Sequence, residues 1–162
     1  LDEYHMNIEI MANYADVIGG IAVLISLVYV GFEIRRNTKS SLSQTNMTIH
    51  ESMANISLEV GKDAQLSSLF RKGLFSFSKL DDDERFQFFT LMTSLYRRFE
   101  NVFYQNEKGL LEDQLWTGYS QSMAAYTSTE GGKEFLRHRK DSFSTSFSAF
   151  LEASEVKKSF RL

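Results

Sequence analysis

Apolar residues are arranged in two different ways along this chain. From Val17 to Phe32 they form one run, Val-Ile-Gly-Gly-Ile-Ala-Val-Leu-Ile-Ser-Leu-Val-Tyr-Val-Gly-Phe, which no charge interrupts. Taken from Ala15 to Ile34, with Asp16 and Glu33 at the headgroups, the segment is about 20 residues long. At ~1.5 Å per residue, a helix of that length matches the hydrocarbon thickness of about 30 Å. A buried core helix is the competing reading, because the strictly uncharged stretch covers only 16 residues. A cleaved signal peptide fits poorly. Residues 1–16 hold Asp2, Glu3, Glu9 and Asp16 with no Lys or Arg, and no small-x-small site follows the run. The pattern therefore predicts a transmembrane helix over 15–35, preceded by a short extracytoplasmic segment over 1–14. Arg35, Arg36 and Lys39 follow the run, and the positive-inside rule then places residues 36–162 in the cytoplasm. The same three cations are candidate contacts for lipid headgroups.

Beyond Arg35 the apolar positions recur with a period near 3.6 and strand-like alternation is scarce. Leu42, Thr45, Ile49, Met53, Ile56 and Val60 share one helix face, and Gly61 is a stop signal. No Pro or Gly lies between Arg35 and Val60, so nothing in the sequence prevents this helix from running on from the span. A short helix is expected from an Asp63 cap to Lys72, ended by Gly73. The longest element opens at Leu80-Asp-Asp-Asp-Glu84 and closes at Gly109, with Phe88, Phe89, Leu91, Met92, Leu95, Tyr96, Phe99, Val102 and Phe103 covering an arc of about 160°. A further helix is predicted over 112–127 with Leu115, Trp116, Tyr119, Met123 and Tyr126 on one face. Two short ones follow the Thr129–Gly132 turn, over 133–140 and 142–154. In the last, Ser142–Ser148 also alternates, which leaves a strand as its alternative. The fold class is all-α: one N-terminal transmembrane helix followed by a cytoplasmic bundle of five or six helices, with 36–162 as a single helical domain.

The 162 residues suit one domain with one extra element. A net charge of -3 removes the basic excess that duplex nucleic acid requires, and the Phe and Tyr residues fall at core spacing without basic interleaving, so no nucleic acid is expected as a partner. There is no Cys, which excludes disulfides and thiolate chemistry, and the three His are scattered. Absence of Pro fits long uninterrupted helices. Leu1–His5 precede Met6, which reads as a natural start, so these five residues are expected to be an upstream extension or a cloning remnant.

Candidate sites are few. Ala15, Gly19, Ala22, Ser26 and Tyr29, continued by Glu33, lie within about 40° of one line on the apolar helix. Small residues let membrane helices approach closely, so this face is the predicted packing seam for a second copy or another transmembrane protein. Gly20 lies off the line, and Glu33 is expected to pair with Arg36 one turn on. In the soluble part, Arg97 and Glu100 with Tyr96 and Tyr104 one turn to either side form a polar network or ligand site. Asp81–Asp83 lack the spacing of a calcium loop and read as a helix start. Gly131-Gly132-Lys133 lacks the rest of a phosphate loop. Arg137–Lys140 reads as a solvated basic helix end, with anionic lipid as its sharper alternative. No residue pattern calls for a cofactor or metal, and none nominates a catalytic nucleophile.

Three segments together carry a family likeness: Val17–Thr38, Arg97-Arg-Phe-Glu-Asn-Val-Phe-Tyr-Gln105 and Gly109-Leu-Leu-Glu-Asp-Gln-Leu-Trp116. The chain resembles a group of small bacterial single-pass membrane-anchored helical proteins of unknown function. The likeness runs from about Tyr14 to Phe150. It implies the bacterial inner membrane and a helical layout, and implies no activity. The expected function is non-enzymatic: assembly in the inner membrane, most simply as a homo-oligomer through the small-residue face. The alternatives are an accessory subunit of an energy-transducing or transport complex, and a membrane-tethered ligand-binding domain.

Overall fold

In a computed structural model the backbone is described for residues 2–154 and the side chains for residues 11–153, Ala12 excepted. Leu1, and the side chains of most of the 1–14 segment, lie outside the described residues. The described residues form six α-helices and two single turns of 3-10 helix, joined by short turns, with no strand among them. These are α1 (Asp2–Lys62), α2 (Ala64–Phe75), α3 (Asp82–Glu107), α4 (Asp113–Ser128), α5 (Glu130–Arg139) and α6 (Thr145–Ser154), with the 3-10 turns at Phe77–Lys79 and Lys140–Ser142. The strand alternative for Ser142–Ser148 is thereby replaced by a 3-10 turn and the start of α6. The chain divides into two units, 1–41 and 42–162. The first contains only the N-terminal part of α1; the second holds the rest of α1 and every other element.

The second unit is built around α3. Its Phe88, Met92, Leu95, Tyr96, Phe99, Val102 and Phe103 are buried. Leu69 and Leu74 of α2, Met123 of α4, Phe135 of α5, and Phe147 and Leu151 of α6 join them in one cluster with Ile49 and Ile56 of α1. Aromatic rings fill much of this core; most meet edge-on or tilted, and Phe77 stacks on Phe89 at 5.6 Å. Phe89 meets Phe135 edge-on at 5.7 Å, and Phe103, Trp116 and Phe150 form a triangle with centroid separations of 5.2–6.2 Å.

Local chemistry sets the ends of the helices. The Asp63 carboxylate accepts from the N–H groups of Gln65 and Leu66 and starts α2. At the head of α3, Glu84 N–H donates to Asp81 Oδ1 at 2.8 Å, and Asp81 N–H donates back to Glu84 Oε2 at 3.0 Å, a reciprocal capping box. Lys72 of α2 donates to the same Glu84 oxygen. The Lys72 ammonium, and then the Asp81 N–H, hold the Glu84 carboxyl below the ordinary carboxylate range. At the tail, Gly109 takes a φ of +67° while its N–H reaches Asn106 O and the Leu110 N–H reaches Gln105 O. This is a Schellman stop, and the left-handed position explains the glycine.

Two other glycines do something the sequence pattern does not disclose. Gly73 ends nothing: α2 continues to Phe75. Gly131 and Gly132 belong to the first turn of α5, which starts at Glu130 and not at Lys133. A Cβ on Gly73 would sit 2.2 Å from the Phe88 ring, and one on Gly131 would sit 2.1 Å from the Gly73 carbonyl oxygen. These glycines are therefore the contact at which α2 and α5 meet backbone to backbone above Phe88. Glu130 secures the same corner by accepting from the Ser78 N–H at 2.9 Å.

Candidate functional site

The small-residue positions Ala15, Gly19, Ala22, Ser26 and Tyr29 all lie exposed on α1. No atom comes within 4 Å of the place a Cβ would occupy on Gly19. The Ser26 hydroxyl donates to the Ala22 carbonyl of its own helix, which leaves its lone pairs facing outward. Their neighbours are exposed too: Ile18, Leu24, Ile25, Leu27 and Phe32 each leave more than 60% of their surface uncovered. An 18-residue window here reaches a mean hydropathy of 2.2, and none of it is buried within the chain. By length and composition α1 can cross a bilayer. Just beyond, Arg36 donates to Glu33 at 2.9 Å, while Arg35 and Lys39 are exposed.

In the helical domain, Arg97 and Glu100 come together while the two tyrosines part from them. Arg97 donates to Glu100 Oε2 at 2.7 Å and, through its other terminal nitrogen, to the Ser142 carbonyl at 2.8 Å. Its guanidinium also lies 4.8 Å from the Phe143 ring centroid. Glu100 Oε1 accepts from the Ser144 N–H at 2.7 Å. The pair thus grips the connection between α5 and α6 and satisfies the free N–H immediately before α6. Burial pushes the Glu100 carboxyl up, but the Ser144 N–H and the Arg97 guanidinium outweigh it and keep the group below the ordinary carboxylate range. With both oxygens engaged and the charge retained at neutral pH, the arrangement is that of a clamp.

Tyr96 points into the core, where its hydroxyl meets Thr127 Oγ1 at 3.1 Å and its ring packs on Phe135 at 5.0 Å. Tyr104 is more than half exposed beside Lys108. It lines an open groove of about 640 Å³ with Glu100 and Glu107. The basic run is tied down by carboxylates: Arg137 donates to Glu134 at 2.5 Å and Lys140 to Glu152 at 2.9 Å.

No protein-family model, curated protein or solved structure matches this chain. Its function is therefore read from its own residues. Two contacts escaped the sequence pattern. Arg98 donates to the Ser52 carbonyl of α1 at 3.0 Å and bonds the Ser94 hydroxyl, pinning the C-terminal part of α1 to α3. His50 Nδ1 meets the Tyr119 hydroxyl at 2.9 Å, tying the same stretch to α4. Two adjacent arginines on one helix give no signal of which one reaches across. A third residue, Asn46, is buried on this face, and its amide oxygen has no partner among the described residues.

Proposed function

We propose that this chain is a single-pass protein of the bacterial inner membrane, non-enzymatic, with its helical domain on the cytoplasmic side. It assembles through the small-residue face of α1, most simply with copies of itself. One observation carries the proposal: the apolar window of α1 has no cover within its own chain. A helix that is apolar all round needs apolar surroundings on every side, and a bilayer supplies them. Exposing side chains of this size to water costs roughly 1.5–3 kcal/mol each, so the segment cannot stay bare. The three cations after the run, with no Lys or Arg in residues 1–16 before it, favour an N-terminus outside and the domain inside. Ala15, Gly19, Ala22 and Ser26 would let two backbones approach, with Tyr29 closing the seam. Arg35, Arg36 and Lys39 then lie at the depth of anionic headgroups.

The test is the native mass of the complex extracted in mild detergent from its own membranes, with its subunits identified. A small multiple of 18.7 kDa containing this chain alone is the expected result. A larger mass holding other subunits replaces self-assembly with an accessory role in a bigger complex. A monomer contradicts the assembly reading.

A further inference from the structure

Where the C-terminal part of α1 lies over α2, α3 and α4, the domain leaves a cleft of about 390 Å³. Its size falls in the range of small-molecule sites. Met53, Phe70, Leu95 and Phe99 supply apolar walls, and no charged side chain lines it. Four hydroxyls line it as well, from Ser57, Ser122, Tyr119 and Tyr126. The serines spend their protons on their own helices: Ser57 donates to the Met53 carbonyl at 3.2 Å and Ser122 to the Gly118 carbonyl at 3.0 Å. What they turn to the cleft is therefore oxygen lone pairs, which accept hydrogen bonds. Burial pushes the Tyr119 and Tyr126 hydroxyls up, so both stay neutral.

The cleft is open at Ser57 and Gly61, and a charged ligand would lose part of its water there with no opposite charge to pair it. A pure hydrocarbon would cover the serine lone pairs without giving them a donor. We infer that this cleft is a binding site for a small, uncharged, largely apolar molecule bearing a hydroxyl donor, held between the Ser57 and Ser122 oxygens and the Phe70–Phe99 wall. The inference uses only residues of the 42–162 unit and stands whether or not the assembly proposal holds.

The probe is 1-naphthol, titrated into the full chain in phosphatidylcholine nanodiscs and read at the Met53 methyl by NMR. The expected result is a saturable shift at Met53, with naphthalene binding more weakly and anionic 1-naphthoate giving no shift. Gly61 lines the cleft, and a Cβ there would meet no other atom, so Gly61→Leu adds bulk at the rim of the site without crowding the core. It should abolish the Met53 response while the core methyls of Met92 and Met123 keep their positions, which shows that the variant is folded. Ser57→Ala/Ser122→Ala should weaken naphthol about three- to tenfold, the worth of one neutral hydrogen bond, and leave naphthalene unchanged. Naphthol entering the bilayer without moving the Met53 methyl would overturn the inference. So would equal binding of naphthol and naphthalene, or an undiminished response in Gly61→Leu.

Discussion

Within α1, residues 17–34 and 42–60 are both rich in apolar side chains, and they meet opposite fates. In the second stretch Leu42, Ile49, Met53, Ile56 and Val60 recur on one face, and each is buried or half-buried in the helical domain. In the first stretch the apolar residues surround the helix, and they remain exposed. The difference lies in pattern more than in content. A stripe with period 3.6 can be covered by one neighbouring layer, whereas an apolar surface on every side has to be covered from every side. The helical domain provides the first kind of cover, and the proposed membrane provides the second.

The sharpest way to break this contrast uses glycines, which occur in both regions under opposite constraints. Gly131→Ala drives a methyl group into the Gly73 carbonyl, and the two helices must separate above the fully buried Phe88. We expect a loss of about 3 kcal/mol in the domain's stability, measured by denaturant unfolding in nanodiscs. Gly19→Leu meets open space and should leave that unfolding curve in place while changing the native mass of the complex. Equal destabilisation by both variants would erase the distinction between the regions.

The clamp gives a smaller and pH-dependent effect. Glu100→Gln keeps an oxygen for Arg97 or Ser144 but removes the charge, and should cost about 1–2 kcal/mol at neutral pH. The folded-state pKa of Glu100 is depressed, so its contribution is fully present above the unfolded value of about 4.3 and is lost as pH falls through the folded value. Glu84 behaves likewise. Native stability should therefore decline below about pH 5, and Glu100→Gln should flatten part of that decline. A variant whose acid limb is as steep as that of the native chain would remove the carboxylate from the account.

Asn46→Leu predicts the smallest change, and one of opposite sign. It replaces a buried amide whose oxygen has no partner among the described residues by a side chain of similar size, and should raise stability by about 1 kcal/mol. A loss instead would show that the amide oxygen is satisfied in solution.

Much of this architecture is legible from local chemistry. Asp63, the Asp81–Glu84 run and Gly109 each act within a few residues of themselves, and each marks a helix end where it was expected. Gly73 and Gly131 carry the same local signal, but what selects glycine at both is a backbone contact between residues 58 positions apart. Sequence spacing holds no trace of such a contact. The start of α6 slips to Thr145 for a related reason, since Ser142 and Ser144 are held from α3 by Arg97 and Glu100. The pairing of Arg97 with Glu100 could be read from their i,i+3 spacing; their hold on the α5–α6 connection could not. The cleft was illegible throughout, because its walls come from four helices whose crossings no single helix encodes.

The central claim, a chain that crosses the membrane once with its helical domain inside, is tested most directly by sidedness. The native sequence has no cysteine, so single cysteines can be placed without background from the chain itself. Asn13→Cys and Ser67→Cys are compared in intact bacterial spheroplasts with a membrane-impermeant maleimide. Labelling of Asn13→Cys in intact cells, with Ser67→Cys reacting only after permeabilisation, is the predicted result. Two positions that react alike before and after permeabilisation, or in the reverse order, would contradict the account.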